Sequence, residues 1–175
     1  MTNFFGQRGY FHNPKDPWVE NFEEALETLD ELIKAGKIRQ IGISNEAPWG
    51  LMRYLELSKK GLPKTITIQN PYSLLNRIFE IGNSEICMRE DVGLLAYSPL
   101  GFGVLSGKYL NGNMPEDSRL KLFPNLSRFS GENSMKATGM YFNISKKHDL
   151  SLTQVALSFV NSRPFVTSNI IGATK

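Results

Sequence analysis

The chain has 175 residues, 41% apolar and 21% charged, with 20 Lys and Arg against 17 Asp and Glu, for a net charge of +3. This is a globular composition, long enough to bury a core as one domain spanning residues 1–175, and it argues against disorder. The charges are interspersed without a basic block or an aromatic-basic stripe, which argues against nucleic-acid binding and leaves room for a small anionic ligand.

After Pro14 and Pro17, the residues Phe22, Ala25, Leu26, Leu29, Leu32 and Ile33 follow the i, i+3, i+4, i+7 spacing of one buried helical face. Glu23, Glu24, Glu27 and Lys34 lie opposite as a solvated face, and Gly36 ends the helix. "KIRQIGISN" then reads as a strand of roughly six residues. Pro48 opens a second helix carrying Leu51, Tyr54, Leu55 and Leu57, with Gly61 as its stop. "TITIQN" is a second strand ended by Pro71, Phe79 to Asp91 a helix, and "VGLLAYS" a third strand, apolar enough to be buried on both faces. A stretch from Gly101 to Ser130, rich in Gly, Pro, Asn and Ser, interrupts the rhythm, as functional or mobile loops do. Helices over 132–148 and 152–161 follow, Arg163 and Pro164 stop the second, and "FVTSNIIGA" is a fourth strand.

Alternating strands and helices imply an α/β fold with a parallel sheet, either a (β/α)8 TIM barrel or a doubly wound sheet. A barrel needs eight strands in about 250 residues. Four strands, a first helix without a preceding strand and a last strand without a following helix fit a partial, half barrel cut at both ends. Such a half leaves strand edges and an inner face uncovered, so self-association or pairing with a complementary half is expected. Cys87 is the sole cysteine and His12 and His148 the only histidines, which excludes an internal disulfide and a zinc cluster and suggests a reducing, cytoplasmic setting. "MTNFFGQRGYFHNP" lacks the basic region and apolar core of a signal peptide, and no apolar run approaches the roughly 18 residues of a membrane span.

In parallel α/β folds chemistry gathers at the carboxyl ends of the strands. Here those ends are Ser44-Asn45-Glu46, Gln69-Asn70, Tyr97-Ser98 and Gly172-Ala173-Thr174. Glu46 is the only acid among them, so a glycosidase pair is missing, and neither a serine nucleophile elbow nor a histidine is present. Amides, hydroxyls and one aromatic ring suit a flat heterocycle bearing a carboxamide. In "AYSPLGFGVLSGKYL", residues 96–110, the glycines allow close approach of an anion and Lys108 offers a point charge. Each feature has a plainer reading: Ser44-Asn45 as a helix cap, Gln69-Asn70-Pro71 as strand termination, Tyr97 as a core aromatic and 96–110 as a flexible connection. Trp18 and Trp49 read as packing helices onto the sheet, and His12, His148 and Cys87 as structural or solvated.

"GKIRQIGISN", "ITIQNPYSLLNR" and "LLAYSPLGFGVLSGKYL" resemble the strand-end motifs of aldo-keto reductases, in the branch with the bacterial Tas-type reductases and the potassium-channel β subunits. The resemblance covers nearly the whole chain in order. It implies a (β/α)8 barrel that binds NADP(H) across its strand ends and transfers hydride to an aldehyde or ketone. It also implies that Ser44, Asn45 and Gln69 contact the nicotinamide carboxamide and that Tyr97 stacks on the ring. Ser98, Pro99, Leu100, Gly101 and Gly103 would line the pyrophosphate with Lys108, Arg119 would come from the cofactor-covering loop, and Gly172 and Thr174 would approach the adenosine phosphate. The family's catalytic Asp, Tyr, Lys and His belong to the first half of the barrel. None of Tyr10, His12 or Tyr72 matches them, so the chain is expected to supply the nicotinamide and phosphate half of the cofactor site and to be inactive by itself, with no catalytic or metal-binding residue of its own. A non-catalytic nucleotide-binding or protein-interaction module, and another kind of TIM-barrel enzyme, are the alternatives.

Overall fold

A computed structural model describes residues 21–172. Helix α1 (Phe22–Lys34) is followed by β1 (Ile41–Ser44), α2 (Pro48–Ser58), β2 (Thr65–Pro71), α3 (Asn83–Glu90), β3 (Gly93–Tyr97), α4 (Arg119–Leu122), α5 (Glu132–Lys147), α6 (Leu152–Asn161) and β4 (Val166–Ile170). The four parallel strands form one sheet in the order β1-β2-β3-β4 with covering helices, the architecture of a partial barrel. In β1 and β2, Ser44 lies opposite Gln69 and Ile43 opposite Ile68, with an irregularity between Ile41 and Gly42. The chain packs as two compact units, one running to Asn70 and including Glu80–Leu94, the other made of Pro71–Phe79 and the chain from Leu95 onward.

In the first unit, α1 forms because its apolar stripe meets an apolar partner. Phe22 and Leu26 are buried with Ile41 and Leu57, and Leu29, Ile33, Ile38, Tyr54 and Leu62 pack around them. Burying a side chain such as Leu26 contributes about 1.5–3 kcal/mol, and each of these residues adds a share. Lys34 pairs with Asp30 on the exposed side. Trp49, expected against the sheet, is instead half exposed, with its ring edge-on to Phe22 at 5.7 Å. Pro48 does open α2, because it needs no N–H partner in the first turn.

Three expectations are corrected. The first strand is four residues long, not six. The single helix expected over 79–91 is a 3-10 turn (Ile78–Ile81) followed by α3, broken at Gly82, where φ is −154°. Strand β3 is not buried on both faces: Leu94 and Ala96 are fully buried while Gly93, Leu95 and Tyr97 are half-buried.

Cys87 is buried on α3, and burial pushes its thiol up to about 12 from 9.0. Only about one molecule in ten thousand is then thiolate at pH 8, so the folded chain is expected to resist iodoacetamide at that pH and to react fully in urea. Because the folded value is the higher one, this contribution to stability is intact below pH 9 and is lost as pH rises through about 12. Urea midpoints should therefore fall between pH 8 and pH 10.5, with a shallower fall in Cys87→Ala.

In the second unit, α6 is started by a capping box: Ser151 Oγ accepts from the Gln154 N–H at 3.2 Å and Gln154 Oε1 accepts from the Ser151 N–H at 2.8 Å. The 101–130 segment, expected as a long loop, has local structure of its own. It folds into 3-10 turns and the short α4, and it owns an apolar cluster of Val104, Tyr109, Leu120 and Phe129 with Leu75, Phe102, Leu126 and Met135 against it. The Tyr109 hydroxyl accepts the Leu120 N–H at 3.2 Å, which staples α4 to the glycine turn. Among the described residues no helix is long and apolar enough to cross a membrane, and no three His, Cys, Asp or Glu gather in a way that could hold a metal. Tyr10, His12 and Trp18 lie outside the described residues.

Candidate functional site

The ends of β1 and β2 carry one hydrogen-bonded group. The Ser44 hydroxyl donates to the Gln69 carbonyl at 3.1 Å, the Asn45 N–H donates to the same carbonyl at 2.9 Å, and Asn45 Nδ2 donates to Ser44 Oγ at 3.0 Å. Asn45 takes φ +56°, a left-handed conformation that asparagine tolerates better than most residues. Ser44 and Asn45 do not cap α2. Its N-cap is Ala47, which has no side-chain cap bond, and the Ala47 N–H is instead taken by Glu46 Oε1 at 3.0 Å. Glu46 is buried, with only 3% of its surface exposed, and its carboxylate folds back onto the first turn of α2. A carboxylate there meets the partial positive charge of the helix N-terminus.

The second unit carries the aromatic and the cations. Tyr97 is half-buried, not a sealed core residue. Burial raises its phenol above the usual range, and a hydrogen bond from the Arg128 guanidinium pulls it back. Beyond it, Ser98, Gly101, Phe102, Gly103 and Gly107 all have positive φ, so the chain coils tightly on itself. The N–H groups of Gly101 and Gly103 donate to the carbonyls of Ser98 and Leu100 at 2.9 and 3.0 Å. Here the glycines shape the turn, and their N–H groups close it. Gly103 also makes room: at φ +91° a methyl group on it would come within 3.0 Å of Lys108 Cε and 3.3 Å of Nζ. The Lys108 ammonium therefore rests across the glycine turn, 5.3 Å from the Tyr109 ring centroid. Arg119 lies 4.9 Å from the centroid of Phe102, placing a second cation on the same coil.

The structure thus joins Ser44, Asn45 and Gln69 in one network, and joins Lys108 and Arg119 to the turn that begins at Ser98. Pro99 is buried and Leu100 half-buried within that turn. Gly172 is exposed past the end of β4, with open space around it, and Thr174 lies outside the described residues. Sequence reasoning missed Arg128. An arginine between Ser127 and Phe129 in a polar loop carries no local mark, and only the folding of the 101–130 segment brings it to Tyr97.

Chemically, the first unit offers hydroxyl and amide groups in a fixed array, suited to pairing with a planar amide. The second offers an aromatic ring and cations suited to an anion. The aldo/keto reductase family model matches residues 9–175. The chain is 51% identical to protein tas of Escherichia coli over 174 residues, covering 99% of this chain and 50% of that protein. It is 31% identical to the L-glyceraldehyde 3-phosphate reductase of Escherichia coli, over 87% of this chain and 46% of that one. A probable voltage-gated potassium channel subunit beta of Oryza sativa is 40% identical over 48% of this chain and 26% of its own length. The chain spans about half the length of the first two of these relatives. With the family model covering nearly all of it, this chain belongs to the aldo/keto reductase family, which are oxidoreductases.

Proposed function

We propose that this chain supplies the nicotinamide- and phosphate-holding part of an NADP(H)-dependent reductase of aldehydes or ketones. The observation that carries the reading is the network joining Ser44, Asn45 and Gln69 at the ends of neighbouring strands. NADPH, when bound, supplies the hydride. Ser44, Asn45 and the Gln69 side chain pair with its carboxamide, and Tyr97 covers one face of the ring, oriented by Arg128. Lys108 and Arg119 meet the phosphates on the coil shaped by Ser98, Pro99, Leu100, Gly101 and Gly103, and Gly172 and Thr174 approach the adenosine end. The cradle fits such a group in one testable respect: the space left by the absent side chain at Gly103 is what lets Lys108 lie over the turn.

Among the described residues none is assigned the part of proton donor to the carbonyl oxygen, so reduction in this reading draws its acid from a complementary barrel half. By the same reading the chain self-associates or pairs with that half, since parallel sheets are ordinarily covered on both faces. It works in a reducing, cytoplasmic setting, consistent with a single buried thiol. A small carbonyl compound is the substrate of the assembled protein.

The test is titration of NADPH fluorescence with the chain. Binding with no NADPH oxidation on adding aldehydes is the expected result, and Gly103→Val, which displaces Lys108, should weaken binding about tenfold through loss of one charge-assisted contact. No fluorescence change at millimolar protein overturns the binding reading. A clean monomer in sedimentation overturns the self-association.

A further inference from the structure

We propose that Asn83 is a positioning residue, holding the turn that presents Ser44 and Asn45 from a helix 37 residues further along the chain. Asn83 is the first residue of α3, only 6% exposed, and its Nδ2 donates to the backbone carbonyl of Glu46 at 3.2 Å. Asn70, one residue past Gln69, donates from Nδ2 to the same carbonyl, also at 3.2 Å. The Glu46 carbonyl is thus gripped by two amides, while the Gln69 carbonyl grips the other side of the turn through the Asn45 N–H and the Ser44 hydroxyl. Between the two grips sits Asn45 at φ +56°.

The arrangement does not look optimised for stability. Asn83 Oδ1 and Asn70 Oδ1 are both buried with no hydrogen-bond partner, and an unpaired buried amide oxygen carries a desolvation penalty. An apolar side chain at position 83 would avoid that penalty. A local rule broken at a buried position marks a place where structure serves something other than stability. What Asn83 supplies is a second anchor for a backbone in an unfavourable conformation, so that the strand-end hydroxyl and amide stay in one orientation.

This inference rests on the cofactor reading for its purpose, and its test separates the two. Asn83→Leu is compared with the unaltered chain in three measurements: hydrogen exchange of the Asn45 amide by NMR, the Kd for NADPH, and the Kd for 2′,5′-ADP, which has no carboxamide. The expected results are exchange at Asn45 faster by about fivefold or more, with the Ile68 amide unchanged, the worth of roughly one net hydrogen bond. NADPH binding weakens by a similar factor, and 2′,5′-ADP binding does not change. A merely structural asparagine would weaken both ligands alike, and that result overturns the proposal. Unchanged exchange at Asn45 overturns it too. If the unaltered chain binds neither ligand, the cofactor reading fails, while the exchange measurement still decides the grip on the turn. Asn83→Ala removes the same donor without adding bulk and must accelerate Asn45 exchange as well, so a leucine that disrupts folding does not hide the answer.

Discussion

Tyr72→Ala is expected to lower the stability of the chain by about 3–5 kcal/mol, the range for removing a large buried aromatic side chain. Tyr72 is fully buried and stacks on Phe159 of α6 at 5.7 Å with the rings 22° apart. Its second neighbour is Phe165, edge-on at 5.3 Å, and Phe165 in turn lies 5.7 Å from Phe79. Arg163 lies 4.6 Å from the Phe159 centroid, so the stack continues outward into a cation. One truncation therefore strips the contact that fastens α6 and the approach to β4 onto the segment following β2. Native domains have only about 5–15 kcal/mol in hand, so the expected loss is a large part of the whole. The urea midpoint should fall steeply, while Tyr72→Phe, which keeps both ring contacts, should stay within about 1.5 kcal/mol of the unaltered chain. An alanine variant as stable as the original would show that the ring stack contributes little.

Gly50→Ala is expected to cost about 2 kcal/mol, although in an exposed helix interior the same change gains nearly 1 kcal/mol. Gly50 stands in the first turn of α2, where a methyl group would sit 2.5 Å from both Cδ and Oε1 of Glu46 and 2.7 Å from Cγ. Glu46 is buried and its carboxylate holds the Ala47 N–H, so it has little freedom to yield. Either the carboxyl group moves and gives up the Ala47 N–H, or the helix shifts. A double-mutant cycle decides whether this clash is the cause. In a Glu46→Ala background the alanine at 50 should be neutral or stabilising. Destabilisation that persists there would place the cause elsewhere.

Much of the architecture was legible because the relevant signals are local. Pro48 fixes the start of α2, the 3.6-residue spacing from Phe22 to Ile33 fixes α1, and the apolar repeat from Leu152 to Val160 gives α6 its bounds. Where the reading failed, a distant contact decided. Gly82 looks like an interior helical glycine until Pro48 is found against it, where a Cβ would come 2.8 Å from the proline Cγ. The core of the 101–130 segment was invisible because Leu75 and Met135, which complete it, come from outside it. At the candidate site, the residues at strand ends could be named from position and resemblance. Their supports could not: Asn83 reaches Glu46 across 37 residues, and Arg128 reaches Tyr97 across a coil with no periodic pattern. Composition did not show that the only acid at a strand end would be buried as a helix anchor, because burial of a carboxylate depends on the N–H groups the fold happens to aim at it.

The contacts of Lys108 with Tyr109 and of Arg119 with Phe102 bear on how an anion would be met. Long cationic side chains in water sample many rotamers, and a ligand must ordinarily freeze them, at an entropic cost of up to about 2 kcal/mol each. Here the two side chains, both exposed, lie over aromatic rings, and such contacts would supply part of that ordering in advance. Such preorganisation would favour slow release more than fast capture, because it lowers the cost of ordering the bound state and affinity differences between related complexes lie mostly in the release rate.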